Sequence, residues 1–106
     1  MSAALDELKR MAGDDFVRNL VETFAASVEA CLARLRGDEA RDGAKAVHTI
    51  AGGAGQLGEP TLEARARELE RMMRDGDRPA EATVAAFEAE ARRAVEALRA
   101  AARTKG

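Results

Sequence analysis

A chain of 106 residues makes one small domain, long enough for a single core and not for two. Hydrophobic residues account for 46%, the only aromatics are three Phe, and 17 basic residues against 19 acidic ones leave a net charge of −2. No basic patch or set of stacking aromatics offers a nucleic-acid surface, no apolar run reaches membrane-spanning length and no signal-peptide pattern opens the chain, so a cytoplasmic protein with neither nucleic-acid nor membrane partners is expected.

Alanine, leucine, arginine and glutamate dominate, and these are strong helix formers. Val, Ile and Thr are sparse and no alternating run is long enough for a strand, so the fold class is all-α. The periodicity predicts helices over about 3–11, 15–36, 39–57, 60–75 and 79–102. In the first, Leu5, Leu8 and Met11 make a short amphipathic piece that ends at Gly13 and should dock as a lid. Asp14 and Asp15 offer an N-cap and first-turn negative charge to the second. Its stripe is Val17, Leu20, Val21, Phe24, Val28, Cys31, Leu32 and Leu35. Cys31 on that stripe reads as a buried free thiol. Gly37 ends the helix, and Asp38 is placed to cap the third.

The fourth helix opens on Pro60, with Glu59 complementing its dipole, and presents Leu62, Ala66, Leu69 and Met73 before stopping at Gly76. Asp77 and Pro79 open the fifth, with the stripe Val84, Phe87, Ala91, Val95, Leu98 and Ala102, and the tail from Arg103 should fray. Four long helices on short connections, with a short N-terminal lid helix, predict an antiparallel up-down four-helix bundle in one domain over 1–106.

The third helix holds the only histidine, His48, among glycines 43, 52, 53, 55 and 58. At about 100° per residue, Ala46, Val47, Ile50, Gly53, Ala54 and Leu57 fall on one side. His48 points to the other, with Arg41, Ala44, Lys45, Ala51, Gly52, Gly55 and Gln56 around it. A glycine inside a helix costs about 0.8–1 kcal/mol against alanine. Close helix packing accounts for Gly53. Gly52 and Gly55 face outward, where small residues clear a surface for another molecule's backbone. Other readings stand beside this one. The glycines 52–58 read equally well as a loop, and an isolated outward histidine is commonly an ordinary surface residue. A phosphate-cradling loop would need a Gly-Lys-Ser/Thr ending and a preceding strand, and a metal or hydrolytic site would need a second histidine.

His48-Thr49-Ile50-Ala51-Gly52, followed by Leu57-Gly58 and then by Leu62 and Leu69-Glu70, resembles the histidine-containing phosphotransfer (HPt) domain family. That family's pattern is a histidine, any residue, an aliphatic, usually lysine, then glycine, with Leu-Gly closing the helix and a Leu-Glu pair one hairpin later. The likeness extends from the Phe24 region to the Arg-Asp-Gly-Asp turn at 74–77. It implies that the third helix runs through the glycines. His48 would accept a phosphoryl group from a response-regulator receiver domain, or from a histidine kinase or hybrid kinase, and pass it to another receiver aspartate. The catalytic groups and the magnesium would belong to the partner, so the chain is expected to be a monomeric carrier, not an enzyme, with no cofactor or metal of its own. Arg41, Ala44, Ala51, Gly52, Gly55, Gln56, Arg67 and Arg74 would line the receiver-docking face. Ala51 stands where the family commonly has lysine, and Lys45, with Arg41 one turn further back, is placed to supply the missing charge. The alternative is an HPt-like adaptor that holds a receiver without being phosphorylated.

Hairpin geometry adds one residue. With the turn near 58–59 and a rise of about 1.5 Å per residue, His48 comes level with Leu69 and Glu70. Glu70, on the flank of its helix, is expected to accept a hydrogen bond from His48 Nδ1 and leave Nε2 free; a solvated helix charge is the other reading. Arg67, Arg71 and Arg74 alternate with Glu63, Glu68 and Glu70, which favours pairing within the helix.

Overall fold

Five helices follow one another in the computed structural model, which describes residues 3–103: α1 (Ala3–Ala12), α2 (Asp14–Leu35), α3 (Ala40–Gln56), α4 (Pro60–Arg74) and α5 (Glu81–Arg103). No strand occurs among the described residues, and no helix there is long and apolar enough to cross a membrane. The expected tail lies outside the described residues apart from Arg103, which is the last residue of α5.

Three local expectations differ from what is found. Gly13, at φ 93°, is the N-cap of α2, so Asp14 and Asp15 both fall in its first turn. There they still oppose the helix dipole's positive end favourably. Glu39, not Asp38, precedes α3, with no side-chain cap bond; Asp38 instead offers its carbonyl to the Arg78 guanidinium across the neighbouring loop. Helix α5 starts two residues later than the Pro79 signal suggests, because the amides of Thr83 and Val84 both donate to Ala80 O at 2.9 and 3.1 Å. Pro79 thereby stays in the loop.

The apolar stripes meet in one core. Val17, Val21, Val28 and Leu32 of α2 face Val47 and Ile50 of α3, Leu62 and Ala66 of α4, and Ala91 and Leu98 of α5, all essentially inaccessible. Helix α2 packs against both α3 and α5, α3 packs most extensively against α4, and α4 touches α5 over a smaller seam. Ion pairs lace α2 to α5: Arg36 binds Glu81 at 2.7 Å and Glu88 at 2.8 Å, Arg92 binds Glu29 at 2.9 Å, and Arg99 binds Glu22 at 2.8 Å. The partners descend along α2 as they ascend along α5. Cys31 is a buried free thiol.

Helix α1 lies on α2, with Leu5 buried and Leu8 half-buried. The Lys9 ammonium ties it to α5 by donating to Ala101 O at 2.6 Å. Met11, grouped with Leu5 and Leu8 from the sequence, is instead 74% exposed. It lies in the last turn of α1, two residues before the chain turns at Gly13 into α2.

Candidate functional site

Helix α3 is wedged between α2 and α4, and this sets which of its residues reach solvent. A helix with one neighbour buries a single stripe; one with two neighbours buries a wider arc. Ala44 and Ala51 lie on the flank that α4 covers, and they are buried, at 5% and 0% exposure. The expectation that they line an exposed docking face is therefore corrected. They are contact points between helices, small because α4 comes close. Arg41, Lys45, His48, Gly52, Gly55 and Gln56 remain exposed.

The glycines divide in the same way. A Cβ on Gly52 would meet nothing within 4 Å, so its surroundings are open. A Cβ on Gly55 would stand 2.7 Å from Glu63 Oε2, which means the α4 carboxylate leans over this residue and partly occupies a surface expected to be clear. Gly53 sits beneath the Phe24 ring, 2.6 Å from two ring atoms in the same construction. The helix runs unbroken through glycines 52, 53 and 55.

His48 projects from this face with its side chain 59% exposed, while Glu70 of α4 is held almost wholly inside, its side chain 7% exposed. His48 Nδ1 and Glu70 Oε2 are 2.9 Å apart. The same oxygen receives Arg74 Nη2 at 2.6 Å, from one turn further along α4. An ionised carboxylate only accepts hydrogen bonds, so the hydrogen in the His48–Glu70 contact belongs to Nδ1. That tautomer leaves the lone pair on Nε2, which has no partner among the described residues. Arg67 pairs with Glu63 at 3.0 Å, four residues away on the same helix. Neither Lys45 nor Arg41 has an ion-pair partner among the described residues, so both cations beside His48 are free to meet an anion.

The contribution of α2 to this face was not read from the sequence. Leu20, Phe24 and Ser27 of α2 and Thr49, Gly53 and Gln56 of α3 line a shallow groove of about 260 Å³ beside the histidine. One turn before Leu20, Phe16 is 50% exposed. Its position off the buried stripe of α2 is the signal available in the sequence: an aromatic that the core does not use. Among the described residues, no group of three or more His, Cys, Asp or Glu is arranged to hold a metal ion.

An outward imidazole nitrogen, a buried carboxylate against the opposite ring nitrogen and unpaired cations alongside make an arrangement chemically suited to a nucleophile for an anionic group. The family model for the Hpt domain matches residues 19–101, which takes in His48, Glu70 and nearly all of α2 to α5. Comparison of the chain with curated proteins and with solved structures finds no match. The chain belongs to the Hpt domain family, phosphocarrier modules that serve the kinases and receivers of two-component signalling.

Proposed function

We propose that His48 is the phosphoryl-accepting residue and that the chain shuttles the group between receiver-domain aspartates, or from a histidine kinase or hybrid kinase to a receiver. The observation that carries this reading is the orientation of one ring: Nδ1 held by a buried carboxylate, Nε2 exposed and unbonded. The Nε2 lone pair attacks the phosphorus of an aspartyl phosphate. The N–P bond forms as the bond from phosphorus to the aspartate oxygen breaks, and the electron pair leaves with the carboxylate. No proton need move, because the hydrogen stays on Nδ1. The ring instead becomes cationic as Nε2 attacks, and Glu70 stands 2.9 Å away to stabilise that charge. The return step reverses these bonds with a second aspartate as nucleophile. The aspartate, its magnesium and the groups that assist leaving belong to the receiver, so this chain carries the group and does not itself catalyse transfer.

Lys45 and Arg41 meet the added negative charge of the phosphoryl oxygens in place of a lysine at Ala51. Gly52 leaves room for a receiver loop, Gln56, Arg67 and Arg74 stand at the rim, and Phe16 with Leu20 supplies an apolar anchor. The short connections, the reversed order of the α2–α5 ion pairs and the neighbour relations of the helices support an antiparallel up-down four-helix bundle with α1 as its lid. We read the protein as a cytoplasmic monomer. A phosphotransfer profile against the receivers of the source cell, with His48→Gln as control, tests the reading. Selective labelling of the wild-type chain is expected; receiver binding without labelling would make it an adaptor.

A further inference from the structure

Arg74 touches neither the exposed ring nitrogen nor the groove, yet it binds the one oxygen on which the orientation of His48 depends. Glu70 Oε2 takes Arg74 Nη2 at 2.6 Å and faces His48 Nδ1 at 2.9 Å. We propose that Arg74 is a positioning residue for His48: by anchoring Oε2, it keeps the ring hydrogen on Nδ1 and the lone pair on Nε2. The proposal rests on the reading of His48 as the phosphoryl acceptor for its importance, but not for its test.

A glutamate has three side-chain torsions, and a carboxylate free to turn would meet Nδ1 in only some of its arrangements. The Arg74 ion pair comes from the same helix at four residues' spacing, so it restrains the carboxylate without help from another element. The pair is also short of other partners: Glu70 has no further hydrogen bond or ion pair among the described residues. Removing the cation leaves the Glu70 carboxylate free to turn away from His48 Nδ1. Where the carboxylate has turned away, nothing holds the ring hydrogen on Nδ1, and the form with the hydrogen on Nε2 gains. That is the wrong tautomer for a nucleophile facing solvent. Arg74 itself is 64% exposed, so its replacement removes little packing.

The experiment reads the ring directly, on the whole chain and without any phosphoryl donor. Nitrogen-15 shifts of the neutral His48 ring give the ratio of the Nδ1–H to the Nε2–H form in the wild type, Arg74→Gln and Arg74→Lys. The expected result is a fall in that ratio of about twofold in Arg74→Gln, the scale of one i,i+4 ion pair lost. Arg74→Lys, which keeps a cation within reach of Oε2, restores it. Circular dichroism of both variants should match the wild type. An unchanged or increased ratio in Arg74→Gln, or a Lys variant that behaves like the Gln variant, overturns the proposal. A chain that never accepts a phosphoryl group would defeat the functional reading and leave this measurement standing, so the two failures are distinguishable.

Discussion

Gly53 and Phe24 close the contact between α3 and α2: the side-chain carbon that Gly53 lacks would lie 2.6 Å from two atoms of the Phe24 ring. Phe24 is itself buried, at 7% exposure, so a ring pushed off Gly53 gives up core contacts as it moves toward the groove. Gly53→Ala should therefore destabilise the fold by about 1–3 kcal/mol, the usual cost of overpacking, even though alanine is the better helix former. Urea denaturation measures it. A neutral or stabilising substitution would show that the contact is loose.

Gly52 sits one residue away and predicts the opposite. With nothing within 4 Å of its missing side chain, Gly52→Ala should raise stability by about 0.8–1 kcal/mol through helix propensity alone. If the position is left bare for a receiver's backbone, the same variant should be slower in phosphotransfer. A stabilised variant with undiminished transfer removes Gly52 from the docking face.

These neighbouring glycines show what could be read from residues and what could not. Helical projection separates the inward Gly53 from the outward Gly52, since a 3.6-residue period carries that information. Hairpin geometry likewise brings Glu70 level with His48. Projection alone does not say how many helices pack on a given helix, and so it misplaces Ala44 and Ala51, whose flank α4 covers. Nor does it show the Glu63 side chain lying over Gly55, because a long side chain reaches across from a neighbouring helix. The displaced start of α5 has a similar origin: Pro79 is compatible with a first helical turn and with a loop, and the tie between Arg78 and the Asp38 carbonyl accompanies the loop outcome.

Phe16 and the groove behind it lead to a third expectation. Phe16 is half exposed at the start of α2, one turn before Leu20 at the groove beside His48. Phe16→Ala should change folding stability by less than about 1 kcal/mol, yet weaken receiver binding about tenfold, as loss of an aromatic anchor does. Titration calorimetry with a receiver domain measures the affinity. Unaltered affinity would place the receiver elsewhere.

Acid stability follows from the α2–α5 ladder. Hydrogen bonds from Arg99, Arg92 and Arg36 hold Glu22, Glu29 and Glu88 below the ordinary glutamate value of 4.5. A carboxyl depressed in the folded state stabilises the fold above its unfolded-state value, and that contribution is lost as pH falls through the folded-state value. Thermal midpoints should hold at neutral pH and decline below about pH 4.5, the ordinary value to which these glutamates return on unfolding. The decline should be modest, because the pairs are solvent-exposed, and it should shrink in high salt. Burial raises Glu59, so its titration works in the opposite direction and offsets part of the loss. The triple variant Arg36→Gln, Arg92→Gln, Arg99→Gln should flatten the acid limb; an unchanged limb would mean that the ladder contributes nothing.

The central claim is that His48 carries a phosphoryl group through Nε2 with Glu70 behind the ring. Incubation with a receiver bearing a radiolabelled aspartyl phosphate, followed by a chase with a second, unlabelled receiver, tests it most directly. The expected result is label on the wild-type chain that maps to His48 and moves on during the chase. His48→Gln should take none, and Glu70→Gln, whose amide oxygen still accepts from Nδ1 but carries no charge, should be labelled about tenfold more slowly, the difference between a charge-assisted and a neutral hydrogen bond. Label on any other residue, or a wild-type chain that binds the phosphorylated receiver and stays unlabelled, would contradict it.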